Sequence, residues 1–80
     1  MTLPEMTQIT LNFWMKEFRG LARKMPQQER IKQAMACARL TRKEMEVLMA
    51  MGMDEDTAWT ETRNLFCLKA PPRYDPSQTA

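Results

Sequence analysis

The chain has no histidine, only two cysteines and only two glycines in 80 residues. Histidine most often carries general acid–base work at neutral pH, so its absence removes the commonest catalytic base. It also removes a principal zinc ligand. Cys37 and Cys67 lie far apart in the sequence instead of forming a close pair, so no metal site is expected. A nucleophilic role for either cysteine would need an activating base that the sequence does not offer. Both sit beside apolar residues and read as small buried hydrophobes. No glycine-rich phosphate loop occurs, and Asp54, Glu55, Asp56 and Glu61 lack the spacing and turn glycine of a calcium loop. The expectation is a protein that is not an enzyme and holds no cofactor.

Long apolar runs are missing too. No stretch approaches the roughly 18 apolar residues that a membrane span needs, and no basic start followed by an apolar run opens the sequence. A cytoplasmic protein with reduced cysteines and no membrane contact is expected.

The scarcity of glycine, with prolines confined to the ends and one junction, is the punctuation of helices. The first helix is expected to start between Leu3 and Thr10 and to reach Lys24. Thr2 and Glu5 offer a capping box, with Pro4 tolerated in the first turn. Leu11, Trp14, Phe18, Leu21 and Met25 draw one apolar stripe along it, and Gly20 suggests close packing by a neighbour. Pro26 opens a second helix over 27–40, with Ile31, Ala34, Met35 and Ala38 inward. Thr41-Arg42-Lys43-Glu44 has the form of a capping box, which predicts a fresh helix from there to Met51. Gly52 then stands where a left-handed residue stops a helix. Asp54 is a good N-cap for a fourth helix over 55–66 that buries Ala58, Trp59, Thr62, Leu65 and Phe66. From Ala70 the sequence reads APPRYDPSQTA, an extended proline-rich tail. The fold class is therefore all-α: a compact four-helix domain over 1–69 with a tight helix-Gly-helix corner, followed by a flexible tail over 70–80.

Residues 44–61 resemble a DNA-binding helix-turn-helix, with Gly52 at the turn and Val47, Met51, Met53 and Ala58 at its apolar positions. The run from Leu40 to Leu48 is similar to the opening of LuxR-type response-regulator domains. Both resemblances imply DNA recognition by the helix that begins Asp54-Glu55-Asp56. Three carboxylates in that first turn would meet phosphates with repulsion. Leu48-Met49-Ala50-Met51-Gly52-Met53 followed by Ala58 resembles the ubiquitin-associated domain, whose Met-Gly-aromatic loop contacts ubiquitin. Here Met53 stands in place of the aromatic residue.

Residues 1–45 hold nine Lys/Arg against four Asp/Glu, and residues 46–80 three against six, which together give the net +2. Lys16, Arg19 and Arg23 share a face of the first helix, and Lys32, Arg39, Arg42 and Lys43 lie along the outer side of the next. If coplanar, these rows could track a phosphate backbone.

Nine methionines are the most unusual feature, five of them between positions 35 and 53. Methionine fills irregular gaps and is favoured on surfaces that adapt to partners. A chain this short cannot wrap every apolar side chain. The leading expectation is a small adaptor, inhibitor or assembly protein. It would bind a protein partner, or itself as a homodimer, through Met45, Leu48, Met49, Met51, Met53 and Trp59. The alternative is a nucleic-acid-binding regulator that uses the basic rows.

Overall fold

Residues 27–50 form one unbroken helix of 24 residues, where the capping-box pattern at Thr41 predicts two. The computed structural model describes residues 1–73. Its elements are α1 (Leu3–Glu17), α2 (Arg19–Lys24), α3 (Gln27–Ala50) and α4 (Glu55–Phe66), an all-α arrangement. Thr41 caps nothing. It is fully buried, and its hydroxyl donates to the carbonyl of Cys37 one turn back at 2.9 Å. Ala34, Ala38, Thr41 and Met45 follow at steps of 4, 3 and 4 and are all buried. That row is continuous across the supposed break, and no glycine or proline interrupts it. Tertiary burial of a helical stripe therefore outweighs a local capping preference.

The first helix breaks where continuity was expected. Phe18 leaves the helical region (φ −134°, ψ 43°), separating α1 from the short α2. The bend carries Ala22 and Met25 onto Trp14 and Ala34, which form one end of the core. Gly20 does not mark a close approach, because a Cβ built there meets nothing within 4 Å.

The other end of the core joins Met6, Ala38, Met45, Ala58, Trp59 and Cys67 from three helices. Met6 packs with Ala38 and Met45 while Trp14 packs with Ala34, so α1 runs antiparallel to α3. The hydroxyl of Thr41 also lies 3.2 Å from the Cys67 thiol, and Trp59 sits with Met45, so α4 returns antiparallel along α3 as well. Beyond α4, the indole N–H of Trp14 donates to the carbonyl of Lys69 at 2.9 Å, and Pro71 is buried. The start of the expected tail is thus docked, and the rest of it lies outside the described residues.

Several ends form as the sequence predicts. Thr2 and Glu5 make the reciprocal capping box of α1, and the Asp54 carboxylate accepts from the Thr57 N–H at 2.7 Å. At the corner, Gly52 takes a left-handed φ of 100°. The Gly52 N–H donates to Met49 and the Met53 N–H to Leu48, the paired bonds of a Schellman stop.

The molecule measures 43 × 26 × 18 Å. Two helices packed about 8–10 Å apart, each with its Cα atoms about 2.3 Å from its axis, account for most of the thin dimension, so the fold is about two helices thick there. Its core is one layer deep and is assembled largely from alanine, threonine and methionine. The threonines fit because their hydroxyls bond one turn back: Thr10 to Met6, and Thr62 to Ala58.

Candidate protein-binding surface

So thin a fold leaves part of α3 facing solvent. Leu40 is 47% exposed, Val47 55% and Met51 76%. They follow one another at steps of seven and four, which puts them on one face of α3. Near Leu40 this face runs into a hollow of about 380 Å³ lined by Ala36, Cys37, Phe66 and Pro72. The Cys37 thiol there is held above its usual pKa, first by burial and then by the neighbouring Cys67. It is a poor nucleophile as it stands.

The six side chains expected to meet a partner are divided by the fold. Met45 is only 1% exposed and Trp59 8%, so both belong to the core and are closed to a partner. Leu48 and Met53 are half-buried against that same core. Met49 and Met51 remain open, but on different sides of α3. Leu40 and Val47 join Met51, and helical spacing alone could have found them. What hid Leu40 was the assumption that a helix begins at Thr41, which cuts the row before Val47 and leaves only Val47 and Met51 within one expected helix.

A second apolar surface lies on the other side of α3. Ile31 and Met35 were expected to face inward. Each instead keeps 38% of its area exposed and, with Leu3 and Leu11 of α1, lines a trough of about 350 Å³. Arg39 stands at one end. The trough continues past Leu11 and Ile31 toward Met15 and Gln27, adding about 290 Å³. Leu65, expected to be buried in α4, is 52% exposed.

The basic residues are less united than their sequence pattern suggests. The break at Phe18 puts Lys16 on α1 and Arg19 and Arg23 on α2. Lys32, Arg39 and Lys43 are exposed on the outer side of α3, while Arg42 donates to the main-chain carbonyl of Met1. At the start of α4, the Glu55 carboxylate is paired with the Met1 amino group. The carboxyl of Asp54 is held below its ordinary pKa by the Thr57 backbone N–H, and that of Glu5 by the Thr2 backbone.

Among the described residues no group of three or more Cys, Asp or Glu could hold a metal ion, and no helix is long and apolar enough to cross a membrane. The chain matches no protein-family model, no curated protein and no solved structure.

Proposed function

We propose that this is a non-catalytic interaction protein that binds another protein, or a second copy of itself, through the outer face of α3. The observation that carries the reading is the exposed row Leu40, Val47 and Met51. Three large apolar side chains aligned on one face cost water contact in the free chain and gain when another surface covers them. Methionine at the end of such a row suits contact surfaces that repack. The charge imbalance between the two halves of the chain would orient the encounter and set its rate.

The nucleic-acid alternative draws on fewer groups. Lys32, Arg39 and Lys43 give one helix face three cations, where strongly salt-dependent phosphate binding uses about six or more.

The test compares the wild-type chain with a Val47→Asp, Met51→Asp double variant. Both positions are exposed, so circular dichroism should show the same helicity. Sedimentation equilibrium over a range of concentrations, together with cross-linked capture from lysate, should show an assembly or a partner for the wild type that the variant loses. A wild type that is monomeric throughout and captures the same proteins as the variant would end this reading.

A further inference from the structure

We propose a second, separate binding site: the trough between α1 and α3 receives a short, acidic, amphipathic helix from another protein. Its floor is apolar, formed by Leu3 and Leu11 on one wall and Ile31 and Met35 on the other. From Gln27 to Arg39 the α3 wall rises about 18 Å at 1.5 Å per residue, which is the length of a helix of about twelve residues.

The lips of the trough differ in charge. On the α1 side Gln8 and Asn12 are uncharged and bonded to one another at 2.8 Å. On the α3 side the guanidinium of Arg30 is committed to the carbonyls of Ala22 and Met25, which leaves Arg39, part of the lining, and Lys32, exposed at i−3 from Met35 on the outer shoulder of the helix. Among the described residues neither cation has a carboxylate within ion-pair reach, and no carboxylate lines the trough. An occupant that places apolar side chains on the floor and carboxylates along the α3 lip meets both conditions.

A helix fits better than the other occupants. Sites for small amphiphiles typically bury about 70–90% of the ligand. This trough is open along its length, with Ile31 and Met35 more than a third exposed. A second copy of the chain lacks the right face. Its acidic helix, α4, carries Asp56 and Glu61 but offers Leu65 as its one exposed large apolar residue among those described. A grooved receptor reads apolar anchors at about i, i+3 or i+4, and i+7. The Leu40–Val47–Met51 row has the apolar residues but is flanked by Lys43 on one side and Glu44 on the other, so it offers one carboxylate with a cation beside it where the α3 lip calls for carboxylates alone.

The test uses the whole chain and a fluorescein-labelled peptide of fourteen residues, stapled as a helix. The peptide has leucines at i, i+4 and i+7 and glutamates along one flank; a twin has lysine at each glutamate. Anisotropy at low salt should show the glutamate peptide binding at least tenfold more tightly than the twin. This comparison needs no variant and so does not depend on refolding. Met35→Glu should weaken the glutamate peptide at least tenfold with helicity unchanged. A Lys32→Glu, Arg39→Glu double variant should abolish or invert the preference between the peptides.

Equal affinity for the two peptides overturns the proposal, as does a Met35→Glu variant that binds normally. Tighter, competing binding of a dansyl fatty acid would assign the trough to a small amphiphile instead. Self-association that Met35→Glu abolishes would assign it to a second copy. The Val47→Asp, Met51→Asp variant must bind the glutamate peptide as the wild type does. Loss there would place the peptide on the outer face of α3 and sink this site, while leaving the preceding proposal standing.

Discussion

The two glycines should respond to alanine in opposite directions, because the backbone treats them differently while the space around them is the same. A Cβ at either position meets nothing within 4 Å beyond its own chain neighbours, so neither substitution clashes with another part of the fold. Gly20 lies inside α2 with helical geometry. Alanine there removes conformational freedom from the unfolded chain and should stabilise by about 0.5–1 kcal/mol. Gly52 sits at φ 100° and donates one of the two bonds that stop α3, the Met53 N–H donating the other. An L-residue held there costs about 1–2 kcal/mol. In a domain of this size 1 kcal/mol moves the midpoint by about 4–8 °C. Gly20→Ala should therefore raise Tm by about 2–8 °C, and Gly52→Ala should lower it by about 4–16 °C. Thermal melts by circular dichroism measure both, and urea titrations should show unchanged m-values. Shifts of the same sign would refute the reasoning. A neutral Gly52→Ala would mean that the corner closes by some other turn.

Met45→Ala should cost about 2–5 kcal/mol by cavity formation, enough to unfold a domain whose total stability is of order 3–5 kcal/mol. Met51→Asp, at the exposed C-cap of the same helix, should cost no more than about 1 kcal/mol in a urea titration, the penalty of a carboxylate at a helix C-terminus. Trp14→Phe strips the Lys69 carbonyl of its donor and leaves a void where the second indole ring packed, so the hydrogen-bond loss alone sets a lower bound on its cost. It should cost at least about 1–2 kcal/mol and speed proteolytic clipping near Lys69. Acid should weaken both caps. The Glu5 and Asp54 carboxyls are depressed in the folded chain, so the stability they contribute is present above the ordinary carboxylate range and lost as pH falls through their lowered values. Melts between pH 6 and pH 2 should show a smaller decline for a Thr2→Ala, Asp54→Asn variant than for the wild type.

Helix ends proved the most legible part of the sequence. Thr2, Glu5, Gly52 and Asp54 act through atoms within a few residues of themselves, so their roles need no knowledge of the rest of the fold. Thr41 shows where that locality fails. Its neighbours compose a capping box, yet Ala34, Ala38, Thr41 and Met45 hold a helical rhythm across the same point, and that rhythm is what the core reads. Because a threonine can donate to the carbonyl one turn back, it can enter a core without ending the helix. The break at Phe18 had no such signal. It exists because Ala22 and Met25 must fold over Trp14, a contact that α1 alone does not announce.

The surfaces were legible only in part, for a reason that lies in the size of the core residues. An apolar stripe in a sequence implies a neighbour wide enough to cover all of it. Here the centre of the α3 stripe is taken by Ala34 and Ala38, both fully buried, and side chains this small favour a short distance between helix axes. Helices that approach over small residues leave the bulky ones at the flanks of the contact. Ile31 and Met35 are displaced to one side and Leu40 and Val47 to the other. A close-packed seam of small side chains and exposed rows of large ones are thus two consequences of one arrangement. Enlarging Ala34 or Ala38 should push the helices apart, weakening the fold and reshaping the trough together. That coupling ties what this protein can bind to how tightly its own helices meet.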